Sequence, residues 1–142
     1  MGTSADDLAA AAVREVEELH AFFEEWLGGT GPRTDAALQR LETALGPDFS
    51  MVTPEGARLR RDDVTGWLRD AHGAKGKAGP FRIIIREPEV LHVAPPLVSV
   101  GYVEEQHQGE AVTSRRSTAL FQVDARGVQW LNLHETWLPA PA

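Results

Sequence analysis

The chain has 142 residues, of which 42% are hydrophobic and 25% are charged, and it contains no cysteine. This length suits one domain over residues 1–142, and the lack of cysteine excludes disulfides and thiolate chemistry. The longest apolar run, residues 8–13, is too short to span a membrane, and the net charge of −7 argues against nucleic acid as a partner.

The first half of the chain is predicted to be mainly helical. Apolar residues recur at three- and four-residue spacing, and glycine and proline interrupt them, which is typical of amphipathic helices separated by turns. The predicted elements, in chain order, are a helix from Ser4 to Leu27, a helix from Thr34 or Asp35 to Leu45, short strands over 49–52 and 57–60, a helix opened by Asp62 or Asp63, and a mobile loop over 73–79.

The second half is predicted to form four long strands. They cover about 81–93, 97–107, 113–123 and 128–138, and Pro88 marks a bulge or an edge strand. Short turns between consecutive strands imply an antiparallel sheet, and the helices need one of its faces to bury their apolar stripes. We therefore predict an α+β fold with three N-terminal helices packed on a curved antiparallel sheet.

Basic residues concentrate in the middle of the chain. Residues 58–86 carry eight basic and three acidic residues, whereas the segments on either side are net acidic. This block could attract an anion, but we favour the alternative that it is a solvated helix and loop.

The last hairpin sets the register that decides which side chains share a face. Asp124 and Gly127 suit a type I turn followed by a glycine bulge, which would pair Asp124 with Val128. A loop one residue longer or shorter would move one strand's side chains to the other face. In the predicted register one face carries Arg116, Thr118, Leu120, Gln122, Trp130, Asn132, His134 and Thr136, and the other carries Ser117, Ala119, Phe121, Val123, Leu131, Leu133, Glu135 and Trp137.

Three segments, in this order, resemble the nuclear transport factor 2-like superfamily, in particular its SnoaL-like and DUF4440-like members. They are residues 45–56, residues 61–64, and the hairpin formed by 116–124 and 130–134. The Trp130-x-Asn132-Leu-His134 run also resembles the association domain of calcium/calmodulin-dependent kinases. The resemblance implies a cone-shaped α+β fold with a pocket between sheet and helices, usually in a dimer formed through the sheets. It implies no single activity, because members include isomerases, dehydratases, cyclases, assembly domains and transport factors.

The resemblance also implies site residues, because the positions that match Trp130 and His134 usually point into the pocket. His134 would then act as an acid or base near neutral pH, and Arg116 would stabilise a carboxylate or enolate-like oxygen. Thr118 and Asn132 would complete the polar lining. The alternative is that this face is the dimer surface, with His134 bonded to a backbone carbonyl and Trp130 serving only in packing.

Further candidates lie on other elements. Tyr102 could orient a ligand through its hydroxyl, and Arg86 needs a partner or a pocket because its strand is so apolar. His20 either reaches the pocket or is a hydrogen-bonded residue at the edge of the helix's apolar stripe. The strand acids are Glu87, Glu89, Glu104 and Glu135, but Glu135 lies on the face opposite to His134 in the predicted register, and no acid–base pair can be assigned.

The sequence predicts neither a metal site nor a cofactor. His134 and Glu135 begin like a zinc-protease motif, but Leu138 stands where the second histidine belongs. We predict a cytoplasmic homodimer that binds a small organic molecule in an apolar pocket, with proton-transfer chemistry of the isomerase, dehydratase or cyclase type if it is an enzyme. The alternative is a non-catalytic dimerisation or protein-binding domain that uses its sheet face.

Overall fold

The computed structural model describes residues 4–139 of the chain. In this part the elements follow in the order α1 (Ala5–Gly28), α2 (Asp35–Ala44), β1 (Leu45–Val52), β2 (Arg58–Arg60), α3 (Arg61–Asp70), β3 (Phe81–Ala94), β4 (Leu97–Gln108), β5 (Ala111–Asp124) and β6 (Gly127–Trp137). The predicted order of helices and strands is confirmed. None of the helices described is both long and apolar enough to cross a membrane.

Helix α1 begins and ends at its predicted signals. The Ser4 hydroxyl accepts a hydrogen bond from the backbone N–H of Asp7 at 3.1 Å, and the Asp7 carboxylate accepts from the backbone N–H of Ser4 at 3.4 Å. This reciprocal pair is a capping box, which satisfies backbone donors that have no partner within the helix. Gly29 ends the helix in the left-handed conformation, with φ of 79°.

The strands form one sheet in the order β2-β1-β6-β5-β4-β3. Strands β3 to β6 pair antiparallel with their sequence neighbours, as predicted. Strand β1, in contrast, lies parallel to β6. Parallel neighbours need a long connection, and here the chain passes through β2, α3 and strands β3 to β5 before β6 lies beside β1. The sheet is therefore curved and mixed, and the α+β class is confirmed.

The helices cover one face of this sheet, which we call the inner face. Tyr102 of β4, Ala119 and Phe121 of β5 and Trp130 of β6 point to this face, and each is at most 2% exposed. They pack into one core with the apolar stripes of the helices. Burial of these large side chains is the main favourable term in folding.

A β-bulge changes the predicted register of the last hairpin. Asp124 pairs with Gly127 rather than with Val128. The register shifts beyond Trp130, where Leu131 is the extra residue, and from there the pairs follow the prediction. The bulge therefore lies in the strand and not at the turn.

The bulge places Trp130 on the face opposite to His134. The indole Nε1 of Trp130 donates to the Glu15 carboxylate at 2.9 Å, and its ring meets Phe121 edge-on with centroids 4.5 Å apart. Burying the indole with a hydrogen-bond partner favours this arrangement, because a buried N–H without one is costly. The prediction that Trp130 and His134 share a face is therefore wrong, and Glu135 lies on the inner face instead.

Strand β3 is an edge strand with an irregularity at Pro88. The pairing with β4 shifts between Arg86 and Glu89, and Glu87 has φ of 53°. Proline cannot donate to a sheet hydrogen bond and is tolerated at such positions. The predicted bulge and edge position are both confirmed.

The loop over residues 73–79 is attached to the end of α1. The backbone N–H of Gly73 donates to the carbonyl of Trp26 at 2.9 Å, and that of Lys75 donates to the carbonyl of Leu27 at 2.9 Å. A side-chain carbon at Gly76 would collide with the carbonyl oxygen of Gly28. These contacts place Lys75 at the edge of the space between α1 and the sheet.

Candidate functional site

A cavity of about 410 Å³ lies between the helices and the inner face of the sheet. All of the helices and strands of the described chain contribute to its lining, which is mostly aliphatic and aromatic. Representative apolar lining residues are Leu19, Phe23, Phe49, Val64, Leu68 and Leu133. Such a wall is suited to the apolar part of an organic molecule.

Hydrogen-bonded polar side chains form one side of the cavity. The Glu104 carboxylate accepts from His20 Nε2 at 3.0 Å and from Gln106 Nε2 at 2.6 Å. The side-chain oxygen of Gln106 accepts from Lys75 Nζ at 3.0 Å, and His20 Nδ1 lies 2.7 Å from the carbonyl oxygen of Val16. Both partners of His20 are acceptors, so its imidazole donates through both nitrogens, which is the pattern of the protonated ring.

His20 and Glu104 stabilise each other's charge. Burial lowers the pKa of His20, but its charge interaction and hydrogen bond with Glu104 more than offset this, so the net shift is upward. Burial likewise raises the pKa of Glu104, but the pairing with His20 dominates and lowers it to about 2. The two side chains therefore form a buried ion pair at neutral pH.

Glu135 is the second carboxyl group of the cavity. It is 5% exposed, and it accepts from the Ser117 hydroxyl at 3.3 Å and from Arg115 Nη1 at 3.5 Å. Burial, followed by the negative charge of Glu104, raises the pKa of Glu135 to about 7. Glu135 can therefore take up or release a proton near neutral pH.

Two cations line the same side of the cavity. The guanidinium of Arg115 lies over the ring of Trp137, 4.7 Å from its centroid, and its Nε is buried with no hydrogen-bond partner among residues 4–139. Burial lowers the pKa of Lys75, and the nearby charge of Arg115 lowers it further. The two cations are thus close enough to repel each other.

Two tryptophans lie at the opening of the cavity. Trp67 of α3 is 54% exposed and Trp137 of β6 is 39% exposed, yet both contribute to the lining. Large aromatic side chains that remain exposed on a folded protein are frequently found at binding sites.

The structure separates the residues that the sequence places in one site. Trp130 lines the cavity. His134, Thr118 and Arg116 are exposed on the outer face of the sheet, where His134 pairs with Thr118 as predicted. The catalytic role of His134 and the binding roles of Arg116 and Thr118 remain predictions.

The other predicted site residues also lie outside the lining. Asn132 donates to the backbone carbonyl of Ser50 at 3.0 Å and so joins β6 to β1. Tyr102 is 1% exposed in the core, where burial raises the pKa of its hydroxyl. Arg86 donates to the carboxylate of Glu105 at 2.7 and 3.2 Å on the protein surface. Their ligand-binding roles are likewise untested.

Sequence reasoning considered Glu104 and Glu135 only as strand acids and missed Gln106, Arg115 and Lys75. Glu104 and Gln106 are two residues apart, so they share a face, and Arg115 pairs with Glu104 across β4 and β5. The pairing of β4 with β5 would therefore have placed Glu104, Gln106 and Arg115 together. Lys75 has no such signal, because its position depends on how the loop attaches to α1.

Within residues 4–139, no group of three or more histidine, aspartate or glutamate side chains is placed to hold a metal ion. The predicted absence of a metal and of a cofactor remains a prediction.

Solved structures of NTF2-like proteins share this fold. An NTF-2 like protein of unknown function from Pseudomonas aeruginosa is 28% identical, with 91% of this chain and 99% of that chain covered and a TM-score of 0.82. A putative calcium/calmodulin-dependent kinase II association domain from Exiguobacterium sibiricum is 19% identical, with 99% of both chains covered and a TM-score of 0.66. An identity this low shows the fold alone. The fold is that of the nuclear transport factor 2-like superfamily.

Within that superfamily the chain belongs to the sucrose-6-phosphate phosphohydrolase C-terminal family, whose model matches residues 12–139. Sucrose-phosphatases 1 and 2 of Nicotiana tabacum are 28% and 24% identical to it over 132 residues. Each match covers 90% of this chain but 31% of the relative, so the chain spans about a third of the length of these curated relatives. The narrower SnoaL-like or DUF4440-like assignment remains a prediction.

Proposed function

We propose that the chain is a small-molecule-binding domain and that its ligand occupies the cavity between the helices and the sheet. The observation that carries this proposal is the cavity itself, about 410 Å³ in volume, with an apolar wall and polar groups concentrated on one side. Known ligand sites have about 300–1,000 Å³ and the same division between an apolar lining and a few oriented polar groups.

The catalytic form of the proposal is proton transfer by Glu135. Its pKa of about 7 allows it to act as acid or base at neutral pH, whereas Glu104 stays ionised beside it. Arg115 lies next to Glu135 and would stabilise an enolate-like oxygen formed when a proton is removed. Isomerisation, dehydration and cyclisation all use such a step. The proposal requires that the cavity binds a ligand, and catalysis by Glu135 is a further step that binding alone does not require.

The curated relatives suggest compounds with which the cavity can be tested. The name sucrose-phosphatase indicates sucrose phosphate as their substrate, but the chain covers about a third of their length. A cytoplasmic location remains a prediction.

The second candidate is a dimerisation or protein-binding domain that uses the outer face of the sheet. Two features favour it: some structural neighbours are kinase association domains, and apolar side chains such as Leu91 and Leu97 are 40% and 37% exposed. Leu91 packs over Gly101 on the outer face. Under this proposal Leu91→Glu would convert a homodimer to a monomer in analytical ultracentrifugation, and an unchanged molar mass would argue against it.

The proposed ligand site is tested by a thermal-shift screen of small organic compounds on matched variants. Leu59→Trp would fill part of the cavity, whereas Arg58→Trp adds the same side chain at an exposed neighbouring position that is outside the lining. Compounds that raise the melting temperature of the wild type and of Arg58→Trp, but not of Leu59→Trp, support the proposal. Compounds that raise the melting temperature of all three proteins equally would contradict it. A screen in which no compound raises the melting temperature of the wild type would also contradict it.

A further inference from the structure

The positive charge in the cavity is incompletely balanced. Lys75 Nζ donates to the neutral side chain of Gln106, and Arg115 has only a long contact of 3.5 Å with Glu135. Arg115 Nε is buried without a hydrogen-bond partner in the described residues. A buried donor in this position is costly unless a ligand satisfies it.

The cavity carboxylates compensate this charge only in part. Both oxygens of Glu104 are already occupied, one by His20 and the other by Gln106. Glu135 is protonated in part at neutral pH, since its pKa is about 7. The third acid of the lining, Glu55, lies in the exposed turn after β1.

Most of the remaining lining is apolar and includes leucine, phenylalanine and valine side chains from α1, β1 and α3. A ligand that satisfies both sides has one anionic group and a hydrocarbon body. A neutral sugar would place hydroxyl groups against this wall without hydrogen-bond partners, at a cost for each buried group.

We propose that the cavity binds a small organic carboxylate, with its carboxylate between Lys75 and Arg115 and its apolar body against the helices. The planar guanidinium matches a carboxylate through two parallel N–H donors, of which Nε has no hydrogen-bond partner within residues 4–139. This inference rests on the proposed function and names the ligand class of the same site.

The carboxylate binds more weakly as Glu135 loses its proton, because two anions then share one site. The groups facing Glu135 are Glu104 and Tyr102 from β4, Arg115 and Ser117 from β5, His20 from α1 and Lys75 from the loop after α3. Affinity therefore falls from pH 6 to pH 8 in the wild type. Glu135→Gln removes most of this dependence, which distinguishes Glu135 from a residue that only supports the fold.

The test is isothermal titration calorimetry of the full chain with hexanoate and benzoate, with their amides as neutral analogues, and with sucrose and sucrose 6-phosphate. Carboxylates are expected to bind at least tenfold more tightly than their amides. Arg115→Gln and Lys75→Met are expected to weaken carboxylate binding about ten- to a hundredfold, since each removes a hydrogen bond to a charged group. The matched controls Arg126→Gln and Lys77→Met are exposed and are expected to bind as the wild type does.

The outcomes distinguish a failure of the carboxylate assignment from a failure of the proposed function. Amides or sucrose that bind as tightly as the carboxylates, or sucrose 6-phosphate that binds more tightly, would overturn the carboxylate assignment and leave a ligand-binding cavity. No binding by any probe would overturn both. If Arg115→Gln does not fold, as judged by its unfolding transition, Lys75→Met in the loop carries the test.

Discussion

Glu104 and Glu135 face the same cavity from strands β4 and β6, and their surroundings move their pKa values in opposite directions. Burial alone would raise both values, but the His20 imidazolium offsets it at Glu104, whose pKa falls to about 2. Glu135 has only the long contact with Arg115 and a hydroxyl donor, so burial dominates and its pKa rises to about 7. Carboxyl pairs separated in this way are typical of acid–base sites.

The first prediction concerns the pH dependence of stability. The pKa of Glu135 rises from 4.5 in the unfolded chain to about 7 in the folded one, so between these values the folded state binds more protons. The free energy of unfolding therefore falls as pH rises through this window and is independent of Glu135 above it. Glu135→Gln removes this contribution, so from pH 5 to pH 8 the wild type should lose about 2 kcal/mol more than the variant.

Urea unfolding at each pH measures this difference. His20 also has a raised pKa, and the stability that it contributes is lost as pH rises, but it is present in both proteins. The contribution of Glu104 is lost only as pH falls toward about 2, outside the range measured. Equal pH slopes for wild type and Glu135→Gln would show that Glu135 titrates normally.

The second prediction concerns the ion pair of His20 and Glu104. Replacing His20 by leucine leaves the Glu104 carboxylate buried without its main counter-charge, which should cost about 3–5 kcal/mol of unfolding free energy. The double variant His20→Leu, Glu104→Leu should be less destabilised than the sum of the single variants, because neither charge remains. His134→Leu is the control, since His134 is exposed, and it should change stability by at most about 0.5 kcal/mol. Additive single effects in the double-mutant cycle would exclude a coupled pair.

The third prediction tests why Trp130 points inward. Trp130→Phe keeps an aromatic ring against Phe121 but removes the N–H that donates to Glu15 at 2.9 Å. The loss should cost about 1–3 kcal/mol, because a buried acceptor then lacks one partner. Trp67→Phe is the matched control at a site that is 54% exposed, and it should be close to neutral. Chemical denaturation measures both, and equal stabilities would remove the hydrogen bond as the cause of the inward orientation.

The fourth prediction concerns the loop that carries Lys75. Gly76→Ala forces a side-chain carbon against the carbonyl of Gly28, so the loop must move away from α1 and the protein should lose about 1–3 kcal/mol of unfolding free energy. Gly66→Ala in helix α3 has open space around its new carbon and should instead stabilise by about 0.5–1 kcal/mol. Thermal unfolding distinguishes the two. A neutral Gly76→Ala would mean that the loop is not held closely to the helix.

Most of the fold could be predicted from the sequence because periodicity and turn residues are local signals. Ser4 and Asp7 mark the start of α1, Gly29 marks its end, and Pro88 marks the irregular edge strand. The parallel pairing of β1 with β6 was missed, since no local pattern reports which distant strand a short strand joins.

The candidate site depended on one register, which the sequence could not decide. Moving the extra residue from the turn to Leu131 leaves His134 on the outer face and puts Trp130 on the inner face with Glu135. The turn sequence suits both positions, and the long-range bond from Trp130 to Glu15, 115 residues away, favours the bulge in the strand. His20 was considered as a pocket residue from its position beside Leu19, but its partner Glu104 lies 84 residues further along the chain.

The most direct test of the central claim, a ligand site inside the cavity, is a two-dimensional ¹H–¹⁵N NMR titration with compounds from the thermal-shift screen. The indole N–H signals of Trp67 and Trp137 report on the cavity, and the side-chain amide of Asn132, on the opposite side of β6, reports on the rest of the sheet. We predict saturable shifts of both indole signals and an unchanged Asn132 amide. Shifts of Asn132 and of residues around His134 with unchanged indoles would place binding on the outer face and contradict the account.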